Sequence, residues 1–412
     1  MTSLFGLSRF PRNLIFGRGQ RGAVAANAAA LGKHALVVTD ERMAASSECR
    51  DLVQSLEDAG LTTTLFDDTI AELPAESIAA GVAAGRAANA DVIIGLGGGS
   101  CMDGAKLIAL LLTHGGQLSD YYGEFKVPGP VLPVIAVPTT SGTGSEVTPV
   151  AVVSDPDRAV KVGIASPHLI PQVAICDPDL TDTCPPGLTA VSGADALTHA
   201  IEAYTNLRRA PYVGLAQEHV FVGKNAFSDY YAREAIRLIA GNLKRACDNG
   251  ADRDARDALM LGSTYAGLAF GVAGTAAAHA VQYPVGALTH TPHGAGVAVM
   301  MPYVMQFNKS HAAVELAEIA VAMGVASCDD TATNAQAAIE AVAALFASIG
   351  IPRTIKDLGL AEDQVDWTAE AALGAARLVK NNPRPLDKNS MLALVRAAFS
   401  GDRASLSAGC PL

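Results

Sequence analysis

The chain has 412 residues, half of them hydrophobic and 17% charged, with a formal net charge of −11. That length exceeds one ordinary core and the apolar content argues against wholesale disorder, so two folded domains are expected. The acidic balance repels phosphate backbones and anionic lipid, which excludes nucleic acid and membrane surfaces as expected partners.

The opening stretch MTSLFGLSRFPRNLIFGRG holds no uninterrupted apolar run, so no secretory signal is expected. HALVVTD (34–40), LTTTLFD (61–67), DVIIGLGGGS (91–100) and VLPVIAVPTT (131–140) read as buried strands. Ala-rich helical stretches at 44–59 and 75–89 lie between them. Such alternation, with near-continuous Val and Ile strands, predicts a doubly wound, mostly parallel sheet. VTPVAVVSD (147–155) and AVKVGIAS (159–166) predict a hairpin attached to that sheet. An edge strand near the N-terminus would allow a homodimer, although no particular residue argues for it.

DPDLTDTCPPGLT (177–189) is rich in Pro, Asp and Thr and reads as a linker. Beyond it the periodicity is helical, at 190–205, 227–246, 252–281, 311–323, 332–348, 362–379 and 389–399. The expected architecture is an α/β domain over 1–183 followed by an all-α domain over 184–412. Leu259 to Ala278 carries no charge over a length that would span a bilayer. Its Ala- and Gly-rich composition instead predicts a closely packed core helix of a soluble protein. Seven cysteines, odd in number and without CxxC spacing, predict reduced thiols and a cytoplasmic location.

Gly97-Gly98-Gly99-Ser100 follows a strand and opens a helix, where close-approaching amides and the helix dipole suit a phosphate. The bland reading is a tight strand–helix turn, for the pattern is neither GxGxxG nor a Walker loop. Thr139 to Ser145 is an unbroken run of hydroxyl and glycine residues at a strand's C-terminal end, a position where open α/β sheets bind ligands. Asp40 ends the second strand. It could accept hydrogen bonds from adenosine ribose hydroxyls or simply cap the helix beginning at Glu41.

In SGADALTHAIEAY (192–204), Asp195 and His199 are four apart, on one helical face. His279 ends the charge-free stretch and His293 follows fourteen residues later in Thr-Pro-His-Gly. One carboxylate and three imidazoles suit Fe²⁺ or Zn²⁺. Against this stands the ordinary satisfied core histidine, the usual role of a lone buried imidazole. His290 is read as a loop residue behind the set or facing solvent.

Together these segments resemble the iron-containing (group III) alcohol dehydrogenase family. The resemblance rests on GGGSCMDGAK (97–106), PTTSGTGSEVT (138–148), DPDLT (177–181), GADALTHAIEAY (193–204), HAVQYPVGALTHTPHG (279–294) and, more weakly, NNPRP (381–385). It implies metal ligands at Asp195, His199, His279 and His293, with Fe²⁺ the first expectation and Zn²⁺ the second. It implies NAD contacts at Asp40, Gly98, Gly99, Ser100, Thr139, Thr140, Thr143 and Lys161. The implied reaction is hydride transfer between a primary alcohol/aldehyde pair and NAD(H).

There are departures. Tyr283 stands where many members carry a further His, and would relay a proton or wall the pocket; Leu73-Pro74 replaces an Asn-Pro pair. The stretch 207–229 looks extended. The Tyr-Pro pair and the extended stretch are similar to the hydroxyacid–oxoacid transhydrogenase branch, so 4-hydroxybutyrate is the alternative substrate. Arg208, Arg209 and Lys224 would then be its carboxylate clamp, or else solvated surface charges. A catalytically silent nucleotide- or metal-binding protein is the alternative of another class, and the intact ligand set argues against it.

Overall fold

The structure is a computed structural model that describes residues 4–155 and 161–407. It divides into two compact units. One comprises residues 9–184 and 214–220, the other residues 4–8, 185–213 and 221–407. A single cut in the chain therefore does not separate them. Residues 4–8 join the second unit through Leu7 N–H to Asn225 Oδ1 and Ala226 N–H to the Phe5 carbonyl. Residues 214–220 join the first, where the Arg9 guanidinium donates to the Ala216, His219 and Val220 carbonyls.

Among the described residues the first unit holds nine strands: β1 (Asn13–Phe16), β2 (His34–Val38), β3 (Thr62–Phe66), β4 (Val92–Gly97), β5 (Gly123–Glu124), β6 (Val134–Pro138), β7 (Val150–Val153), β8 (Val162–Ala165) and β9 (Val173–Cys176). Six form a parallel sheet in the order β1-β9-β6-β4-β2-β3. Strand side chains alternate between its faces, as the two-residue period requires. Leu36, Val38 and Ile93 enter one core with Ile78, Val82 and Ile108 of the helices Ala75–Ala87 and Gly99–His114. Val37, Val92, Ile94 and Leu96 enter the other with Leu52 and Leu56 of the helix Ser47–Asp58. Both faces are covered, which is why these strands lack polar alternation. The expected hairpin exists as antiparallel β7 and β8, but it joins β5 in a separate three-stranded sheet instead of the large one. Residues 159 and 160 of the expected second strand lie outside the described residues.

The second unit is helical. The helix Pro186–Thr205 packs against Ala226–Asp248 and Arg253–Ala273. The helix expected over 252–281 is in fact two, Arg253–Ala273 and Ala277–Thr289, bent by 101° at the break. Gly274 turns the chain with a φ of 81°, a left-handed conformation that glycine adopts freely. The carbonyls freed at the break are taken by side-chain amides: Asn206 Nδ2 donates to Gly274, and Asn381 Nδ2 to Ala273 and Thr275. No single helix among the described residues is long and apolar enough to cross a membrane. A further helix, His293–Asn308, was not expected, and the one expected over 362–379 is split into Val365–Leu373 and Ala376–Asn381.

Candidate metal centre and nucleotide cradle

Asp195 and His199 lie on successive turns of the 186–205 helix, both buried, with His199 Nε2 3.6 Å from Asp195 Oδ1. The sharp bend after Ala273 brings His279, in the first turn of the next helix, to the same place. Its Nε2 is 3.8 Å from Asp195 Oδ1, and its ring stacks on that of His199 with centroids 4.7 Å apart. One ligand atom from each of the three lies within 4.8 Å of the others. The other face of His199 stacks on Phe270, centroids 4.2 Å apart, so the centre has an apolar wall.

Glu202, one turn beyond His199, sets the orientation of His279. Its carboxylate is buried at 1% exposure and accepts the backbone N–H groups of Ala276 and Ala278 at 2.9 and 2.7 Å. It also lies 2.6 Å from His279 Nδ1. A carboxylate can only accept, so it places the imidazole proton on Nδ1 and leaves the Nε2 lone pair toward Asp195. That Nε2 is buried and takes no hydrogen bond.

These features fit a divalent cation. Burying an imidazole nitrogen without a partner is unfavourable unless something accepts its lone pair. Oxygen–nitrogen separations of 3.6 and 3.8 Å are close to the edge of about 3.4 Å between donors in a tetrahedral shell with bonds of about 2.1 Å. His293 begins the 293–308 helix, half-buried, with its ring centroid 5.3 Å from that of His279; it stands next to the three-residue group, not inside its 4.8 Å limit. Gly294 lets it come this near: a Cβ there would collide with the Val191 carbonyl and stand 3.0 Å from Asp195 Cβ. Tyr283 follows His279 by one turn, half-buried, its ring centroid 6.3 Å from that of His293. His290 is exposed and caps the 277–289 helix at a φ of 54°.

Sequence reasoning missed Glu202 and Gly294. Glu202 had a visible signal: it is seven residues beyond Asp195, on the same face of an otherwise apolar helix. Gly294 had none, because its role depends on a helix 100 residues earlier in the chain.

In the α/β unit, Asp40, the Gly97–Ser100 turn and Thr139 follow the C-terminal ends of β2, β4 and β6, three adjacent strands. The glycine turn and the hydroxyl loop face each other. A Cβ on Gly99 would stand 2.7 Å from Thr143 Cγ2, and one on Gly98 would stand 3.7 Å from Thr140 Oγ1. Gly97 has a φ of 149°, and Thr139 N–H donates to its carbonyl at 3.0 Å. Ser100 lies in the first turn of the 99–114 helix, whose N-terminal amides open toward this space.

Asp40 does cap the helix Glu41–Ala44: Oδ1 accepts Met43 N–H at 2.8 Å, while Oδ2 lies 3.8 Å from Cys101 Sγ. Burial and the neighbouring Asp40 push the Cys101 thiol up to about 12, so it stays protonated. Lys161 is ion-paired with Glu72.

The cations of the extended stretch are engaged elsewhere. Arg208 pairs with Asp229, and Lys224 lies 3.0 Å from Glu315 and 3.8 Å from Asp229. Lys224 is buried, which corrects its reading as a solvated surface charge. Arg209 is half-buried beside Asn381, with Nη2 to Oδ1 at 3.4 Å.

Comparison with known proteins places these features among relatives. The family model described as iron-containing alcohol dehydrogenase matches residues 11–178, and the model of the C-terminal part of the Fe-containing alcohol dehydrogenase family matches residues 189–399. The chain is 37% identical over 373 residues to long-chain-alcohol dehydrogenase 1 of Geobacillus thermodenitrificans (strain NG80-2), covering 90% of each chain. It is 33% identical to the NAD-dependent methanol dehydrogenase of Bacillus methanolicus, covering 97% of this chain and 100% of that one. The crystal structure of a 1,3-propanediol oxidoreductase superposes with a TM-score of 0.89 at 34% identity, covering 96% of this chain and 100% of that one.

Proposed function

The chain belongs to the iron-containing alcohol dehydrogenase family, and on that premise we propose that it interconverts short primary alcohols and their aldehydes with NAD(H). The metal would be held by Asp195, His199, His279 and His293, Fe²⁺ before Zn²⁺. The observation that carries this reading is the convergence of Asp195, His199 and His279 within 4.8 Å, with Glu202 fixing the proton of His279 on the side away from the centre.

A divalent cation so held supplies Lewis-acid chemistry to an alcohol oxygen, and NAD supplies the hydride acceptor. The protein's own residues do the rest. Asp195 brings the one negative charge among the four ligands and offsets part of the cation's. Glu202 keeps His279 aimed, with Nε2 turned to the centre. Phe270 and the buried helix faces around the set exclude water, which strengthens each electrostatic contact. Tyr283, on the His279 face of its helix, is assigned to the pocket wall, because a phenol is a poor base at neutral pH.

In the α/β unit, the amides of Gly98, Gly99 and Ser100 would take the pyrophosphate. The hydroxyls of Thr139, Thr140 and Thr143 would position the rest of the dinucleotide. Asp40 would accept from the ribose hydroxyls through Oδ2 and oppose a 2′-phosphate. Lys161 would have to exchange Glu72 for the ligand. The reading includes a cytoplasmic setting, supported by six free cysteines among the described residues. It also includes a homodimer on the β1 edge of the sheet, where Leu14 and Phe16 are exposed.

The hydroxyacid alternative is less well supported. A buried carboxylate needs a cation, and Arg208 and Lys224 are already paired with Asp229 and Glu315. Initial rates on a panel of alcohols, diols and hydroxyacids, with NAD or NADP and followed at the nicotinamide absorbance, test the reading. NAD-linked turnover of short primary alcohols is expected. No turnover of any alcohol by metal-loaded protein would overturn it.

A further inference from the structure

The helical unit contains a cavity that belongs neither to the metal centre nor to the nucleotide cradle. We infer that it is a binding site for a monocarboxylate with an apolar chain, the carboxylate held by Arg353 and the chain laid along the cavity's apolar wall.

The cavity has a volume of about 670 Å³, within the range of about 300–1,000 Å³ usual for small-molecule sites. It lies between the helix His293–Asn308, the helix Thr331–Ser348 and the segments 351–353 and 401–407. Its wall on the first helix runs from Ala298 to Gln306, beginning on the second turn beyond His293 and leading away from the metal centre. None of Asp195, His199, His279 and His293 lines it.

One side of the cavity is apolar. Val299, Phe346 and Ile351 line it at 2, 3 and 8% exposure, with Pro302 and Ala343 beside them. These walls are recessed into the unit, and covering them with hydrocarbon is favourable because it removes apolar surface from water.

The polar groups of the other side are mostly engaged with one another. Tyr303 Oη–H donates to the Arg353 carbonyl at 2.9 Å. Gln306 Nε2 donates to Ser407 Oγ at 2.8 Å, and the Gln306 and Gln336 amides exchange hydrogen bonds at 3.3 and 3.0 Å. Glu340 accepts from Gln336 and is ion-paired with Arg403, so those two charges offset each other. Asp402 Oδ1 caps the turn Arg403–Leu406 by accepting Ser405 N–H at 3.2 Å. Arg353 differs from these. Among the described residues the only hydrogen bond of its guanidinium is a long one, from Nη2 to the Gly401 carbonyl at 3.5 Å. A planar guanidinium with open donors presents a fork that matches a carboxylate, with two parallel N–H bonds. A cationic head group would meet like charge there. A carboxylate joined to a hydrocarbon chain uses both features at once: the fork at the exposed Arg353 and the recessed wall behind it.

The test is calorimetric titration of full-length, metal-loaded protein with octanoate at pH 7, with octylammonium as the probe of opposite charge. Octanoate should bind once per chain, and octylammonium at least about tenfold more weakly. Arg353→Gln removes the charged fork from an exposed position and should weaken octanoate binding about 10- to 100-fold. Ala343→Phe fills the cavity from the 331–348 helix, where Ala343 is only half-buried, and should abolish binding. Circular dichroism checks that both variants are folded. Both losses are required, since octanoate retained by either folded variant is bound elsewhere, the metal centre included, and overturns the inference. No binding of octanoate to the unmodified protein, or tighter binding of octylammonium, overturns it as well. Alcohol turnover is not read in this experiment, so the proposed activity stands or falls separately.

Discussion

Replacing Glu202 by Gln tests the metal centre without touching a ligand. The carboxylate accepts three short hydrogen bonds, from Ala276 N–H, Ala278 N–H and His279 Nδ1–H, at 2.9, 2.7 and 2.6 Å. Glutamine keeps the shape but offers a single acceptor oxygen. If that oxygen stays on His279 and Ala276, the amide NH₂ must face Ala278 N–H, stranding buried donors at a cost of about 1–3 kcal/mol. The bond to His279 also loses its charge assistance, roughly half its strength. Outer partners of ligating histidines are generally worth about 10- to 100-fold in metal affinity, or about 1.4–2.7 kcal/mol. Metal affinity of Glu202→Gln, measured by competition against a graded chelator, should fall by that factor. Turnover should return to within a few-fold when metal is in excess, because all four proposed ligands remain. Unchanged metal affinity would refute the positioning argument; loss of turnover that excess metal does not restore would mean that Glu202 acts on the chemistry directly.

Three further outcomes follow from the same geometry. Gly294→Ala forces a Cβ against the Val191 carbonyl and Asp195, and overpacking of this kind costs about 1–3 kcal/mol. Thermal melting should fall by several degrees and metal affinity with it, whereas an unchanged melting temperature would show that the helix start can shift freely. Asp40→Gly loses a helix cap worth a few tenths of a kcal/mol but removes the charge opposing a 2′-phosphate. Relative kcat/KM for NADP over NAD should rise by the equivalent of about 1–3 kcal/mol, and equal use of both cofactors by the unmodified protein would contradict it. For substrate choice, 1-butanol should exceed 4-hydroxybutyrate in kcat/KM. A preference for the hydroxyacid of about a hundredfold, or about 2.7 kcal/mol at the transition state, would reverse the assignment.

What was legible in the sequence was local. The buried strands announced themselves by Val and Ile runs ended by glycine or polar turns, and β2, β3, β4 and β6 lie where those runs are. Asp195 and His199 were legible as a pair because a separation of four on a helix fixes their common face without help from the rest of the fold. Convergence with His279 was not derivable in the same way, for it depends on the 101° bend after Ala273. The residues there, AGTAAA, carry little to oppose a continuous helix besides Gly274. The break is sustained by Asn206 and Asn381, which lie 68 and 107 residues from Gly274 and replace the lost carbonyl partners. The 293–308 helix was invisible for another reason: it is buried on every side from Gly294 to Asn308 and so has no polar face to set a period. The small sheet was misplaced because its third strand, β5, is only two residues long.

The claim on which the rest depends is that Asp195, His199, His279 and His293 hold a catalytic cation. Its most direct test is exhaustive chelation, verified by elemental analysis, followed by assay of NAD-linked alcohol oxidation and then by titration with Fe²⁺ or Zn²⁺. Metal-free protein should remain folded and be inactive, added metal should restore turnover, and His279→Ala should bind no metal and not be rescued. Full turnover by protein shown to contain no metal would contradict it.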